Sequence, residues 1–447
     1  MVSLRELSRY NYGAVEKSNV VQAIDRYIPS SELLNQFSRQ TNPEDLRLRE
    51  QMERIFPGTA YVLTYSPLAK SLLMVPPDHP LANTGNQLAH GLHYGSGVFE
   101  GGSAEPVRDG TGAISAANII LHHQRMARMA NRSLPSRNFE LPVTVEEFSA
   151  AIMHYLAVLG PEIYQSSAKT LSRAYIRPYA APNVGSFGVS LKPDHEIIAG
   201  CVCFRWSFYF PLERVNEIYN GSGARVAVLP AQRLQKIDGK DASNYGPAGP
   251  WAGRARELGY DEAAILGPYL YDSSTQKVED FVLSLHHISG DALRTAMLKT
   301  TLADGPGEEY LFVRSDGVLA FLPTNVNRLG GTTLQYIIDH LAPSIGLKSI
   351  EMPVTGEMII NGEIVGAAMV GNAVRVAPVG NITYLDGVGQ ILEQLDLSVP
   401  DILRKIVNQY EAEVSGQITP SHPSLLTPID LKNGAEARQK LDRVFLS

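Results

Sequence analysis

The chain has 447 residues, of which 44% are hydrophobic and 19% charged, with a formal net charge of -7 at pH 7. This composition is typical of a soluble globular enzyme of about two to three domains. The acidic balance and the lack of a basic patch exclude a nucleic-acid partner, and no apolar run approaches the ~20 residues of a membrane-spanning helix. Charges at the N-terminus argue against a signal peptide. Cys201 and Cys203 are expected to be buried thiols in a reducing compartment, which predicts a cytoplasmic protein.

The order of predicted elements indicates a mixed α and β protein, of class α+β, with two domains. Residues 1–56 are predicted as an N-terminal helical extension, in which Ser30 or Ser31 caps one helix and Pro43 begins another. The remaining parts are a small α/β domain over 57–208, an interdomain loop over 209–222, a large domain over 223–385 and a C-terminal helical tail over 386–447.

Within the two domains, helices and strands alternate. A helix starts near Leu121, and a capping box of Thr144 and Glu147 opens another that stops at Gly160. The loop over 209–222 is assigned from its Pro, Gly and Asn residues. Strands are predicted at YVLTYS, SLLMVP, AYIRPYAA, IIAGCVCFRW, ARVAVLP, DEAAILG, EYLFVRS, GVLAFLP and VRVAPVG.

The stretch Lys240-Asp241-Ala242-Ser243-Asn244-Tyr245 follows a predicted strand over 224–230 and precedes a helix from about Gly249. A lysine in such a connection can be held in a cleft instead of on a solvated face. Desolvation lowers the pKa of an amine, and a neutral amine is a nucleophile that can form a Schiff base. Most lysines are surface charges, so Lys240 alone is a weak indication.

Two glycine-containing turns could bind an anion. Leu329-Gly330-Gly331-Thr332-Thr333 combines backbone N–H groups with hydroxyls at a helix start, although an ordinary capped helix would look the same. Gly371-Asn372-Ala373 is a second short turn of this kind.

Acidic and basic residues also stand near predicted strand ends. Asp304-Gly305-Pro306-Gly307-Glu308-Glu309 carries acids around a tight turn, which could pair with a cationic ring nitrogen or remain solvated. Arg177, in a predicted strand, can bind a carboxylate if it points into a cleft. Arg125 is one of several basic residues on a helix.

Other common chemistries are not supported. The glycine loops at 95–101 and 387–392 lack the third glycine of a dinucleotide fingerprint, and the sequence contains no phosphate-binding P-loop. The adjacent pairs His122-His123 and His286-His287 point apart, so we predict no metal site.

Taken in order, the motifs resemble those of the class IV (fold-type IV) aminotransferases that use pyridoxal 5'-phosphate (PLP), and most closely the branched-chain amino acid aminotransferases. The resemblance covers roughly residues 57–385. The matching stretches are LHYGSGVFEG (92–101), RMARMANRSLP (125–135), AYIRP (174–178), KDASNY (240–245), ELGYDEAAIL (257–266), DGPGEEYLFVRSDGVL (304–319), LGGTT (329–333) and VGNAVRVAPVG (370–380).

The resemblance implies a role for each matched residue. Lys240 would hold PLP as a Schiff base and move the substrate proton, while Tyr245 would bond the ring hydroxyl oxygen and Asp304 would face the pyridine nitrogen. It implies at least a homodimer, because Tyr94 and its neighbours typically reach across a dimer in this family. The phosphate would be bound by Arg125, Gly331, Thr332, Asn372 and Ala373. The substrate pocket would be formed by Tyr94, Phe99, Tyr175 and Arg177.

Several positions depart from the family pattern. Asp304 stands where Glu is usual, and Glu308 matches another family acid that could take the role. Ala242-Ser243 replace two glycines, and Asn372 replaces Thr. About 30 residues, 272–301, are inserted before the acidic turn.

The resemblance therefore predicts PLP-dependent transamination between an L-amino acid, branched-chain-like because of the AYIRP motif, and 2-oxoglutarate. A fold-type IV enzyme with a different amine substrate or lyase activity is the alternative. A PLP-binding protein without transaminase activity is the third hypothesis.

Overall fold

The computed structural model of the protein describes residues 24–35, 54, 56–82, 89–165, 172–183, 190–191, 195–232, 239–272, 277–280, 288–324 and 328–445. The chain divides into two compact units. The first comprises Met1–Ser207, Gly239–Ser243 and Ser424–Ser447, and the second Phe208–Asp238 and Asn244–Pro423. The helix predicted from Pro43 lies outside the described residues, apart from Arg54 and Phe56. Across the described ranges, no helix is both long and apolar enough to cross a membrane.

Most helices are short. π-Helical turns at Met129–Ser133 and Ile337–Leu341 join pairs of them, and 3-10 turns lie at Pro161–Tyr164, Pro423–Leu425 and Leu431–Gly434. The described α-helices are α1 Ser31–Asn35, α2 His90–Tyr94, α3 His122–Arg128, α4 Leu134–Ser136, α5 Val145–Leu159, α6 Leu212–Asn220, α7 Ala242–Tyr245, α8 Ala248–Glu257, α9 Gly290–Lys299, α10 Thr332–Tyr336, α11 Ala342–Ser344, α12 Gly356–Ile360, α13 Asp401–Val414 and α14 Ala435–Phe445.

The strands belong to two sheets. Those of the first unit are β1 Val62–Ser66, β2 Ser71–Val75, β3 Val98–Phe99, β4 Gly102–Arg108, β5 Ile114–Ile120, β6 Arg173–Pro182, β7 Ile197–Trp206 and β18 Leu426–Asp430. Those of the second are β8 Ala224–Gln232, β9 Glu262–Asp272, β10 Lys277–Asp280, β11 Thr300–Leu302, β12 Glu309–Arg314, β13 Leu319–Phe321, β14 Ser349–Glu351, β15 Ile364–Gly371, β16 Arg375–Leu385 and β17 Ile391–Asp396. The predicted mixture of α and β structure is confirmed.

The sheet of the first unit is antiparallel, and its described strands follow the order β18-β5-β4-β6-β7-β1-β2, with β3 beside β6. The pairing of β6 with β7 extends from Arg173 opposite Trp206 to Pro182 opposite Ile197. Because side chains alternate between the two faces of a strand, Tyr175 and Arg177 on β6 share one face.

The core of the first unit forms around helix α5. The Thr144 hydroxyl accepts a hydrogen bond from the Glu147 N–H at 3.1 Å, and the helix ends before Gly160, as predicted. Phe148 and Ile152 from this helix are buried in the core. Cys201 and Cys203 lie in the same core as free thiols, which confirms that both are buried.

The sheet of the second unit is mixed. Its described strands follow the order β10-β9-β8-β16-β15-β12-β13-β14, and β11 and β17 pair with β9 and β16. Strand β8 runs parallel to both of its neighbours, β9 and β16. The predicted insertion supplies part of the core, because Leu293, Met297 and Leu298 of α9 are buried with Phe312 and Tyr384.

The segment predicted as an interdomain loop contains helix α6. Pro211, with φ near -52°, stands immediately before its first turn, and Gly221 follows its last residue. Pro and Gly are common both at the ends of helices and in loops. The prediction of a loop rests on interpreting the Pro, Gly and Asn residues of the segment as loop residues and not as helix ends. One face of α6 packs against the core of the second unit through Ile218, while Leu212 of the same helix is exposed.

The C-terminal tail is not helical throughout. It contains β17 and β18 besides α13 and α14. In β18, Pro428 lies opposite Asn118 of β5, at the edge of the described sheet, where a residue without an N–H is tolerated. Ala437 and Leu441 of α14 complete the core of the first unit.

Candidate active site

Four residues predicted from three separate motifs lie together in the first unit. Lys240 Nζ is 5.7 Å from the centroid of the Phe99 ring, and the guanidinium carbon of Arg177 is 4.6 Å from the same centroid. Arg177 also lies over the ring of Tyr175 at 5.2 Å and donates a hydrogen bond from Nη2 to its hydroxyl at 2.8 Å. An amine and a guanidinium therefore both lie next to the Phe99 ring.

A buried ion pair, missed in the sequence analysis, lies beside this group. Arg128 donates from Nε and Nη2 to the two carboxylate oxygens of Glu100 at 2.8 and 2.7 Å. Burial would raise the pKa of Glu100, but the charge and hydrogen bonds of Arg128 lower it below its usual range. Glu100 belongs to the GSGVFEG loop, and its apolar neighbours gave no indication of a charged partner.

The surroundings of Lys240 favour its neutral form. Burial, followed by the positive charge of Arg128, lowers the pKa of Lys240 to about 7, while the charge of Glu100 opposes the shift. Arg177 and Arg125 lower it further. A lysine of this pKa is a nucleophile at neutral pH.

Arg125 is on the same helix as Arg128, three residues earlier, so both side chains face one side of α3. Its Nη1 donates to the carbonyl oxygen of Gly101 at 2.7 Å and its Nε to that of Ile120 at 3.3 Å. The helix begins after Leu121, which has a left-handed φ of 51°. Such a conformation is uncommon for a bulky residue.

Three further ring contacts involve predicted pocket residues. Tyr175 packs against Trp206 and Phe204, with ring centroids 4.6 and 5.2 Å away. Tyr94 ends α2, and its ring is 4.6 Å from that of His90. These neighbours fix the orientation of both tyrosines.

The acidic turn of the second unit is buried. Asp304 accepts a hydrogen bond on Oδ2 from the Leu329 N–H at 3.0 Å. Glu308 accepts one on Oε2 from the Gly307 N–H at 3.1 Å. Burial, followed by the negative charge of Glu262, raises the pKa of Glu308 well above its usual range, and Asp304 adds to the effect. Burial therefore favours the protonated form of Glu308, and Asp304 lies close enough to add to this effect.

The LGGTT turn is organised by Glu309. This carboxylate accepts hydrogen bonds from the N–H groups of Gly330 and Gly331 at 3.0 and 2.6 Å and from Arg328 Nη1 at 2.6 Å. A Cβ on Gly331 would be 2.1 Å from the carboxylate oxygen, so only glycine fits. Two of the backbone N–H groups that were predicted to bind an anion, those of Gly330 and Gly331, therefore donate to the carboxylate of Glu309 in the same unit. Among the described residues, the buried Thr332 hydroxyl at the start of α10 has no hydrogen-bond partner.

The remaining predicted residues are in two short elements. Asn372 and Ala373 form the turn between β15 and β16, where the Val374 carbonyl accepts a hydrogen bond from Tyr219. Tyr245 is the last residue of α7. Within the described ranges, no three His, Cys, Asp or Glu side chains form a metal-binding group.

The amino-acid sequence was compared with those of known proteins and with family models. No family model matches the chain. The branched-chain-amino-acid aminotransferase of Salmonella typhimurium is 23% identical over 297 residues, which cover 66% of this chain and 79% of that protein. The enzyme of Escherichia coli K12 is 23% identical over 299 residues, with the same coverage.

Solved structures show the same relationship. The branched-chain amino acid aminotransferase from Thermobaculum terrenum in its PLP-form has a TM-score of 0.58 at 17% identity, over 83% of this chain and 98% of that one. The Thermoproteus uzoniensis enzyme with norvaline has a TM-score of 0.59 at 21% identity, over 83% and 99%. The chain thus has the architecture of fold-type IV aminotransferases. Within that class, it is similar in sequence and fold to the branched-chain amino acid aminotransferases.

The raised pKa of Glu308 predicts a pH-dependent stability cost. Below the ordinary glutamate pKa of about 4.3, the carboxyl is protonated in both the folded and unfolded states. As the pH rises, the unfolded chain releases this proton first, so stability falls until the folded pKa is reached. Because Glu308→Gln cannot ionise, its stability relative to the parent should increase between pH 5 and 8, by up to about 1.4 kcal/mol per pH unit.

Urea unfolding at pH 5, 6, 7 and 8 would measure this difference. Glu351→Gln, at an exposed position on β14, serves as the matched control and should give no such trend. A difference between Glu308→Gln and the parent that does not change with pH would show that Glu308 is ionised in the folded protein.

Proposed function

We propose that the protein is a PLP-dependent aminotransferase that exchanges the amino group of an L-amino acid, branched-chain-like, with 2-oxoglutarate. The observation that carries this proposal is the partly buried Lys240, whose pKa is lowered to about 7, beside Phe99 and Arg177. The sequence and fold similarity to branched-chain amino acid aminotransferases supports it.

The residues present fit the chemical groups of PLP. Lys240 offers a neutral amine for its aldehyde, Asp304 a buried carboxylate for its ring nitrogen, and Thr332 a buried hydroxyl for its phosphate. When bound, PLP supplies an electron sink that stabilises negative charge at the substrate Cα. Lys240 would hold the group through Nζ. Once Nζ is no longer bonded to the group, the free amine would accept the proton from the substrate Cα and donate it to the cofactor.

Asp304 and Glu308 are the two candidate partners of the ring nitrogen. The pKa of Glu308 is raised well above its usual range, which disfavours the carboxylate form that an ion pair with a protonated nitrogen needs and favours Asp304 for this role. Asn372 and Ala373 would approach the phosphate, whereas the N–H of Gly331, also proposed for it, donates to Glu309. We retain Tyr245 as the proposed partner of the ring hydroxyl oxygen.

In the first unit, Arg125 is the proposed phosphate-binding arginine. Its guanidinium is buried on the same side of α3 as that of Arg128, whose Nε and Nη2 are bound to Glu100.

The proposed substrate pocket combines one cation with aromatic surfaces. Arg177 would bind a carboxylate, since the Tyr175 hydroxyl and the Phe99 ring fix its guanidinium. The rings of Phe99 and Tyr175 suit an aliphatic side chain better than a charged one. Tyr94 completes the proposed pocket. The exposed Leu92 beside it, 70% accessible, supports at least a homodimer formed through α2.

The proposal is tested by visible absorption of the purified protein with PLP. A yellow band that L-leucine bleaches, and that 2-oxoglutarate restores, is the expected result, with formation of the matching 2-oxo acid. A band that responds only to other amines would support the alternative of a different substrate or a lyase. A band that no amine changes would indicate a PLP-binding protein without transaminase activity, and no band at all would overturn the proposal.

A further inference from the structure

Glu309 stands where three turns of the second unit meet. It is the last residue of the acidic turn and the first of β12, and in the sheet it lies opposite Val370, two residues before Asn372. Its carboxylate reaches the LGGTT turn, where it accepts hydrogen bonds from the N–H groups of Gly330 and Gly331. All three turns carry residues that are proposed to bind the cofactor.

Consecutive backbone bonds place Glu309 between two proposed cofactor ligands. The Leu329 N–H donates to Asp304 Oδ2 at 3.0 Å, and the N–H groups of the next two residues donate to Glu309. Thr332 follows directly, and within the described ranges its buried hydroxyl has no hydrogen-bond partner. The two glycines bound by Glu309 are therefore the whole of the backbone between the residue that bonds Asp304 and the residue that offers a hydroxyl to the phosphate.

The two glycines need an acceptor to be fixed in place. Gly330 has a left-handed φ of 69°, and glycine has more conformational freedom than any other residue when its contacts are lost. Gly331 lies so close to Glu309 that a Cβ would be 2.1 Å from the carboxylate oxygen. A segment that must be ordered when a ligand binds lowers the affinity, because the free energy of fixing its backbone opposes binding. Glu309 fixes this segment in advance.

Arg328 allows a carboxylate to occupy this position. A negative charge alone beside a phosphate site would repel the phosphate. Arg328 Nη1 donates to Glu309 Oε1 at 2.6 Å, and both side chains are buried. The Arg328 Nε donates to the carbonyl oxygen of Leu322, and its guanidinium carbon is 5.7 Å from the centroid of the Phe321 ring. The pair is thus neutral overall and held on several sides, so it contributes geometry to the turn and not charge.

We propose that Glu309 is a positioning residue for the cofactor: it fixes the LGGTT turn, so that the Asp304 carboxylate and the Thr332 hydroxyl are in place before the cofactor binds. This role rests on the proposed function in taking Asp304 and Thr332 as cofactor ligands. Both carboxylate oxygens of Glu309 are bonded to the turn, so Glu309 acts through its neighbours and is not expected to touch substrate or cofactor.

The experiment measures the binding of 4'-deoxypyridoxine 5'-phosphate to the full-length chain, freed of bound cofactor, by isothermal titration calorimetry. This analogue keeps the ring nitrogen and the phosphate but has no aldehyde, so it needs no bond to Lys240. Arg328→Met/Glu309→Met removes the acceptor and both charges together, which leaves no unpaired charge buried. We expect its dissociation constant to be about tenfold higher than that of the parent, the effect of ordering about one backbone residue on binding.

Thr332→Val tests whether the loss of affinity passes through the turn. In the parent this change should raise the dissociation constant about tenfold, as for the loss of a hydrogen bond to a charged group. In Arg328→Met/Glu309→Met the hydroxyl is no longer fixed, so the same change should raise it less than about threefold. Equal effects of Thr332→Val in both backgrounds would overturn the proposal, since a general loss of stability does not couple to one hydroxyl. A double variant that binds as tightly as the parent would also overturn it.

The matched control is Arg214→Met/Asp261→Leu in the same unit. Asp261 is a buried acid that likewise binds an arginine and a backbone N–H, which belong to Arg214 and Arg225. This variant should lose stability and still bind the analogue within about twofold of the parent. If the control weakened binding as much as the Glu309 variant, the loss would be a general effect of a missing ion pair, and the proposal would be wrong.

Two further outcomes are decisive. If Arg328→Met/Glu309→Met does not fold, Arg328→Met/Glu309→Gln decides, because glutamine keeps one acceptor oxygen for the turn: a dissociation constant raised about threefold supports the proposal, and an unchanged one contradicts it. Binding of the analogue does not depend on transamination. Coupling to Thr332 in a protein that transaminates no amino acid would support the positioning role while the proposed function fails, and a parent that does not bind the analogue would overturn both.

Discussion

Lys240→Ala should lower the rate of amino-group transfer by at least about 10³-fold, because it removes both the attachment point of the cofactor and the group that moves the substrate proton. PLP should still bind, weakly, through the residues proposed for its phosphate. The measurement is single-turnover formation of the 2-oxo acid from L-leucine, with PLP in excess, together with the absorption spectrum of the bound cofactor.

Lys70→Ala is the matched control, because Lys70 is exposed in the turn between β1 and β2. It should retain parental rates and the parental spectrum. If Lys240→Ala turned over at close to the parental rate, a different lysine would have to carry the chemistry.

Arg328→Met should destabilise the second unit by about 3–5 kcal/mol, the usual cost of removing one partner from a buried ion pair. The side chains of Arg328 and Glu309 are only 4% and 5% accessible. Without Arg328, the Glu309 carboxylate keeps its two backbone N–H donors but loses its only cationic partner among the described contacts. Urea unfolding at pH 7 would measure the loss.

The exposed pair of Arg314 with Asp316 provides the control. Their side chains are 35% and 50% accessible, so Arg314→Met should cost at most about 1 kcal/mol. The double variant Arg328→Met/Glu309→Gln should recover part of the stability, since no unpaired charge remains buried. A loss in Arg328→Met no larger than that in Arg314→Met would show that solvent reaches the buried pair.

Local signals in the sequence predicted much of the fold. Thr144 and Glu147 fixed the start of α5 because a cap is formed by residues three positions apart. Helix α6 and strand β18 were missed for an equally physical reason. Pro211 and Pro428 are compatible with a helix start and an edge strand, but in a sequence both residues suggest an interruption.

The residues of the candidate site lie far apart along the chain, so the sequence alone did not show which of them are in contact. Phe99, Tyr175, Arg177 and Lys240 each belong to a motif, and the structure brings them together. The partners of charged groups are not encoded in motifs: Arg128 meets Glu100 and Arg137 meets Asp241 only after β3 and α3 are in place. Contacts of this kind depend on the topology of the sheet.

The position of β18 has a consequence for how the protein is made. Ribosomes add about 5–20 residues per second, and domains commonly fold as they emerge. In the first unit, Ile114–Ile120 pairs with Leu426–Asp430, and Leu441 belongs to its core, yet these last elements are synthesised after the whole second unit. The first unit can therefore reach its final structure only after the second unit has been synthesised. Until then strand β5 lacks its partner β18 at that edge of the sheet.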